Sequence, residues 1–354
     1  MAQNGFIPVH IARFSGPFNM SFSERHSSPL RAAFAVAVTI ASFALPVTPS
    51  FAGDFPAKPV RLVVPYAPGG TADILARDLG ARLSTELGQT VVIENRAGAG
   101  TAIGARYVAQ AEADGYTLFL GTSTSHVVNP AVNPSGVGYD PVKDFTPLAA
   151  IGEVPYLIVT RPDKGIHSFS DLVNAARQAD KPLSYASAGQ GSANHLAGEL
   201  LANLLGTPLL HVPYKGSAPA LNDVLAGQVD FMFDLTTTSQ AHVQAGKLEA
   251  LAVTAAERVS NLPQVPTASE EGHPELVVTS WFGVFGPAGL SSDVEQKLVA
   301  ALGKVLSAEQ SRADLARHGL TVLPLLATDF ATLLKRDLGY WQGVVRAADV
   351  ATKG

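Results

Sequence analysis

The sequence predicts an α/β protein of two lobes with a ligand cleft and a hinge. Three observations carry this reading. Short β-branched strands alternate with amphipathic helices along the chain after residue 54. Glycine-rich or hydroxyl-rich turns follow several of the strands. Apolar stretches near Pro155 and Ser280 interrupt the alternation and read as two crossings between lobes. The first lobe is predicted as 54–155 plus 280–354, and the second, inserted between them, as 156–279.

The organising stretch is Val60–Asp73. Arg61–Val64 is a buried strand by its β-branched, apolar run. Pro65, Pro68, Gly69 and Gly70 then forbid regular structure. Ile74, Leu75, Leu79, Leu83 and Leu87 recur at helical spacing and stop at Gly88, a helix-ending glycine. Thr90–Ile93 is the second strand, Thr101–Ala111 the second helix and Tyr116–Leu120 the third strand. This βαβαβ order predicts a parallel sheet, with ligand beyond the carboxyl ends of its strands. Asn129–Asp144 reads as a polar loop. Leu148–Ile151 and Tyr156–Thr160 read as a strand pair broken at Gly152 and Pro155.

In the inserted lobe, Ser168 starts a helix and Leu183–Ala186 is a strand. Ser192 caps a helix over Ala193–Leu205 that ends at Gly206. Strands follow at Leu209–Pro213, at Val229–Phe233, which ends at Asp234, and at Leu248–Thr254. Glu275–Phe285 returns the chain to the first lobe. Helices at Asp293–Leu306, Glu309–Arg317 and Asp329–Ala347 complete it.

Composition narrows the function. The chain has 354 residues, a formal net charge of -5 and no cysteine. No basic cluster with interleaved aromatics occurs, which argues against nucleic acid. Disulfides, thiolate metal sites and a cysteine nucleophile are excluded. Arg31 followed by the small apolar run Ala32–Leu45, then Pro46, Pro49 and Ser50-Phe51-Ala52, reads as a secretory signal cleaved after Ala52. The run is too short to span a membrane comfortably. Met20 is an alternative start. Residues 1–52 carry three arginines and one glutamate, so the exported chain has a formal charge of -7. The expectation is a periplasmic protein that is not an integral membrane protein after cleavage.

The turns carry the chemistry. A helix opening after a glycine turn presents unpaired backbone N–H groups and partial positive charge, which suits an anion. Tyr66, Pro68, Gly69, Gly70, Thr71 and Asp73 form the first such turn. A second, with Ser187, Ala188, Gly189, Ser192 and His195, is expected to face it across the cleft with a small carboxylate between them. Thr122, Ser123, Ser125 and His126 supply hydroxyls and an imidazole at the end of the third strand. Tyr214, Lys215 and Asp234 stand at other strand ends. Each turn also has a plain reading as a capped surface turn, and Asp73 at close range repels a bare anion. No G-x-S-x-G, S-x-x-K or H-E-x-x-H pattern occurs, and Gly98–Gly104 is one residue too long for G-x-G-x-x-G. No catalytic residue, cofactor or metal is expected.

Taken jointly, PYAPGGTAD at 65–73, VIENRAGAGTAIGA at 92–105, YDPVKDFTPLA at 139–149, YASAGQGSANHLAGEL at 185–200, HVPYKGSAPALNDVLAGQVDFMFD at 211–234 and WFGVFGPAG at 281–289 resemble the substrate-binding receptors of tripartite tricarboxylate transporters, the Bug family. The resemblance covers nearly all of 54–348. It implies a type II periplasmic-binding-protein fold and capture of a carboxylated metabolite by main-chain groups and water near the PGG turn. Family members usually carry a Leu-Tyr pair shortly after the Asn-Pro of the second loop. Here Asn129-Pro130 leads to Ala131-Val132-Asn133, which alters one wall of the cleft.

The function expected is an extracytoplasmic receptor that captures a di- or tricarboxylate, an acidic amino acid or an aromatic acid and delivers it to membrane permease subunits. The alternatives are a secreted hydrolase or lyase using Asp73 and His195, and a ligand-dependent partner of a histidine-kinase sensor.

Overall fold

The computed structural model describes residues 55–317 and 319–348. The export segment expected over residues 1–52, its cleavage after Ala52 and the start at Met20 lie outside the described residues.

In chain order the first elements are β1 (Val60–Val64), α1 (Thr71–Leu87), β2 (Val91–Asn95), α2 (Ala102–Ala109), β3 (Thr117–Thr122), α3 (Asn129–Val132) and β4 (Phe145–Thr160). The middle of the chain forms α4 (Phe169–Gln178), β5 (Ser184–Ser187), α5 (Ala193–Leu205), β6 (Leu210–Pro213), α6 (Ser217–Leu225), β7 (Phe231–Leu235), α7 (Thr236–Gln244) and β8 (Glu249–Val253). The last elements are β9 (Thr279–Pro287), α8 (Ser292–Ser307), α9 (Glu309–Arg317), β10 (Thr321–Val322) and α10 (Ala327–Ala348).

β1 lies between β2 and β3 and runs parallel to both. Leu62, Val63 and Val64 are all fully buried. A strand covered by helices on both faces needs a continuous apolar run, which is what Leu62-Val63-Val64 supplies. Each such side chain contributes about 1.5–3 kcal/mol by leaving water. α1 stops at Gly88, in the left-handed region with φ 67°.

The strands run in the order β2-β1-β3-β9-β4-β7-β5-β6, with β8 and β10 also paired to β4. β4 organises this arrangement. Its stretch from Phe145 to Pro155 pairs antiparallel with β9, and Tyr156–Thr160 pairs antiparallel with β7 and β8. The two strands predicted on either side of Gly152 and Pro155 are therefore one strand of 16 residues. Gly152 is absorbed as a register shift against β9. Pro155, which has no N–H to donate, sits where the pairing partner changes.

The second half of the sheet has β7, β5 and β6 parallel to one another. β7 runs on through Asp234 and Leu235, beyond its predicted end at Phe233. Tyr156 and Leu157 of β4 pair with those two residues. Thr254 ties β4 to the segment that leads into β9. Its hydroxyl accepts the Tyr156 amide at 3.0 Å and donates to the Val278 carbonyl at 2.6 Å.

The stretch after β3 also differs from expectation. Thr124–Val128 forms a π-helical turn that runs directly into α3, with Pro130 in its first turn, so the predicted polar loop begins only after Val132. Among the described residues no helix is long and apolar enough to cross a membrane.

Candidate ligand-binding site

A cavity lies where the β1–α1 turn meets the start of α6. Tyr66, Gly70, Thr71 and Ala72 line it from one side, Thr124, Ser280 and Phe282 from below, and Tyr156, Ala188, Asn194, Ser217 and Leu235 from the other half of the sheet. No Lys, Arg or His is among these residues.

The two helix starts converge here. A Cβ placed on Gly70 would lie 3.6 Å from the Ala218 amide nitrogen and 3.7 Å from the Ser217 Cβ. The first amide of α1 to be satisfied within the helix is that of Ile74, which donates to the Gly70 carbonyl at 3.0 Å. Among the described residues, the amides of Gly70, Thr71 and Ala72, and those of Ser217 and Ala218 opposite, have no protein acceptor. The Thr71 hydroxyl is buried and equally unpartnered. Converging helix N-termini with free N–H groups form a cradle for negative charge that needs no basic side chain.

Asp73 does not face this cavity. Its carboxylate accepts the Gly69 amide at 3.0 Å, the Arg77 guanidinium at 2.9 and 3.0 Å, and the Asn95 side-chain amide at 3.0 Å. Asn95 also donates to the Tyr66 carbonyl at 3.0 Å. Burial raises the Asp73 pKa, but the Arg77, Gly69 and Asn95 bonds outweigh it and hold the carboxyl below its usual range. Asp73 thus shapes the turn from behind.

The expectation that the Ser187–Ser192 turn offers a matching set of free amides is corrected. Its amides are largely satisfied internally. Ala188 N–H donates to the Asn194 Oδ1, Gly189 N–H to the Ser187 hydroxyl, Gly191 N–H to His195 Nδ1 and Ser192 N–H to the Gly189 carbonyl. Ser192 does cap α5, accepting the His195 amide at 3.4 Å. The turn opposite Gly70 is the one at Gly216–Ser217. The Ser187–Ser192 turn instead meets Gly100 and the π-helical turn: a Cβ on Gly100 would stand 2.1 Å from the Gln190 carbonyl oxygen, and Ala193 N–H donates to the Thr124 hydroxyl at 3.2 Å.

Of the residues singled out from sequence, Tyr66, Gly70, Thr71 and Ala188 line the cavity. Pro68, Gly69 and Lys215 are exposed beside it. Thr122 and Ser125 bond each other, and Ser123 pairs with Ser280 at 2.9 Å. His126 is a core residue, stacked on Phe285 at 3.9 Å, and burial lowers its pKa to about 3. Ser187 bonds His211 at 2.6 Å. His195 stacks on that same His211 at 4.0 Å, and burial lowers both imidazoles to about 4. Gly189 packs under the Tyr214 carbonyl, and the Tyr214 hydroxyl donates to Asp223 at 2.5 Å. Asp234 lies behind the wall, fully buried. Asp73 and His195, the pair of the hydrolase reading, are each tied into separate networks.

Sequence reasoning missed Asn194, Ser217, Tyr156, Ser280 and Phe282. Ser217 carried the same signal as Thr71, a small polar residue opening a helix after glycine. Tyr156 and Ser280 carried no local signal, because adjacent strands 124 residues apart bring them together.

The cavity is small. It offers about 20 Å³ to the centre of a water molecule, room for one or two waters. Three contacts lie around it: Ala67 N–H donates to the Lys215 carbonyl at 3.0 Å, Ala193 N–H donates to the Thr124 hydroxyl, and Gly100 abuts Gln190.

A mixed sheet bent about β4, with two helix starts meeting over a small cleft, is the architecture of a periplasmic solute-binding protein. The family model described as tripartite tricarboxylate transporter family receptor matches residues 75–350. Protein BugT of Bordetella pertussis is 34% identical over 327 residues, which covers 92% of this chain and 98% of BugT. The structure titled Rpa4515 of R. palustris with adipate aligns at a TM-score of 0.81 and 37% identity, covering 84% of this chain and 99% of that one. MatC from Rhodopseudomonas palustris, titled with bound malate, aligns at 0.77 and 35%, covering 82% and 100%. The chain belongs to the tripartite tricarboxylate transporter receptor family, which includes the Bug proteins.

Proposed function

We propose that this receptor captures a small carboxylate in the cavity between Gly70–Ala72 and Ser217–Ala218 and delivers it to the permease subunits of a tripartite transporter after export to the periplasm. The carrying observation is the pair of converging helix starts with unpaired amides in a cavity without a basic side chain. The relatives titled with adipate and malate support a carboxylate of that size. The lobes divide at 155–156 and 279–280, where Thr254 ties the crossings. Ligand entry requires the Ala67–Lys215, Thr124–Ala193 and Gly100–Gln190 contacts to part, and closure remakes them around the guest. The function is binding; the ligand leaves unchanged.

Thermal shift of ligand-free exported protein against malate, adipate, succinate, citrate, aspartate, glutamate and benzoate tests this. A ligand at about 100 times its Kd adds about 2.7 kcal/mol, a clear rise in Tm. No stabilisation by any of the seven overturns the reading. Incubation followed by mass spectrometry returns the bound acid intact; turnover would instead support the hydrolase or lyase.

A further inference from the structure

We infer that carboxylate capture is coupled to a proton on Asp234: the receptor binds its ligand with this side chain neutral, and ionisation of Asp234 weakens binding. The inference rests on the carboxylate-receptor reading above.

Asp234 is the next-to-last residue of β7 and is fully buried. Its Oδ2 accepts the Thr238 hydroxyl at 2.6 Å, while its Oδ1 has no partner. Among the described residues it makes no ion pair. The groups that face it are hydroxyls and one amide: Ser217 at the start of α6, Thr238 and Ser239 on α7, and the Leu235 N–H. Its β4 neighbour Tyr156 is a titratable group coupled to it, and Tyr66 on the opposite wall couples to Tyr156 in turn. Burial, and after it the nearby charges of Tyr66 and Asp234, push that phenol far above its ordinary range, so Tyr156 stays neutral. On the β5 and α5 side, the Asn194 side-chain amide donates to the carbonyl of Phe233, the residue before Asp234, at 3.2 Å.

Ser217, Tyr156 and Leu235 all line the cavity. A charged Asp234 would therefore stand one side chain behind the site of the bound anion, with no cation in the cavity wall to separate the two charges. Two like charges in a poorly solvated place disfavour each other strongly. Burial is the dominant cause that lifts the Asp234 carboxyl to about 7, against the opposing Thr238 bond. A bound anion lifts it further. By linkage the apparent Kd is flat below the unliganded pKa and rises about tenfold per pH unit above it, until the liganded pKa is reached.

The test is titration calorimetry of the exported protein with malate, adipate and succinate from pH 6.5 to 9, in buffers of differing ionisation enthalpy. Carboxylates of these acids are ionised throughout, and His195 and His211, held near 4, do not titrate in the window. The expected result is uptake of close to one proton per ligand at pH 8 and a Kd about fivefold weaker at pH 8 than at 7. In Asp234→Asn, which keeps the shape of the neutral acid, proton uptake vanishes and Kd is flat. Wild-type binding with a flat Kd and no proton uptake overturns the inference and leaves the receptor reading standing. The wild-type measurement decides this whether or not the variant folds. Absence of binding at every pH overturns both.

Discussion

The Asp73 carboxylate receives the Gly69 amide at 3.0 Å, so a residue one helical turn inside α1 sets the path of the chain before it. The same carboxylate is neutralised by Arg77. Asp73→Asn is expected to weaken every carboxylate ligand by a similar factor, about tenfold, whether or not the ligand bears an ammonium group. A direct Asp73–ammonium contact would instead penalise aspartate far more than succinate, and calorimetry with the two acids separates these outcomes. Loss of charge-assisted bonds also destabilises the fold by about 1.5–3 kcal/mol near neutral pH. Because the folded-state pKa is lowered, that difference shrinks as pH falls below about 4.

Thr71 offers a cleaner separation of binding from stability. Its hydroxyl is buried without a partner, so Thr71→Val removes a polar group that the protein itself does not use. Stability measured by urea unfolding is expected to hold or rise slightly. Affinity is expected to fall about 3- to 10-fold, the worth of one ordinary hydrogen bond.

Gly100 tests closure. Its φ of 56° and its approach to the Gln190 carbonyl leave no room for a Cβ, and a backbone oxygen cannot rotate aside as a side chain does. Gly100→Ala is expected to raise Kd at least tenfold. Small-angle scattering should show that ligand no longer compacts the molecule.

Thr254 bridges Tyr156 of β4 and Val278, just before β9. Thr254→Val keeps the volume but leaves a buried amide and a buried carbonyl short of a partner, a cost of about 1–3 kcal/mol in urea unfolding.

Asp234 also governs stability through pH. Its folded-state pKa is raised, so its contribution is complete below about pH 4 and is lost as pH climbs to 7. Relative to wild type, Asp234→Asn should gain stability across that window, by about 1.4 kcal/mol per pH unit at most. A melting-temperature difference that stays constant from pH 4 to 8 would count against a raised pKa.

Much of the fold was legible because its signals are local. Leu62–Val64 announces a strand buried on both faces, Gly88 a helix end, and Ser192 a cap. The alternation of such signals gives parallel βαβ units. The continuity of β4 was not legible: Gly152 and Pro155 are breakers by local chemistry, and pairing with β9, β7 and β8 overrides them. The site was half legible. Gly70 and Thr71 declare a helix start, yet nothing near Asp73 says that its carboxylate turns toward Arg77 and Asn95. His126 and His195 stood out as chemistry-bearing residues, and aromatic packing claims both. The Ser187–Ser192 turn brings Ala188 to the cavity, but its glycines and hydroxyls, which drew the reading, are spent on its own amides.

The absence of basic side chains from the cavity bears on how such receptors diversify. Every amino acid except proline brings the same N–H, so the anchoring of charge survives nearly any replacement in the turn that leaves the backbone path intact. The walls built by Tyr66, Tyr156, Leu235 and Phe282 are then free to drift, and new guests can be accommodated by reshaping those surfaces while the anchor persists unchanged.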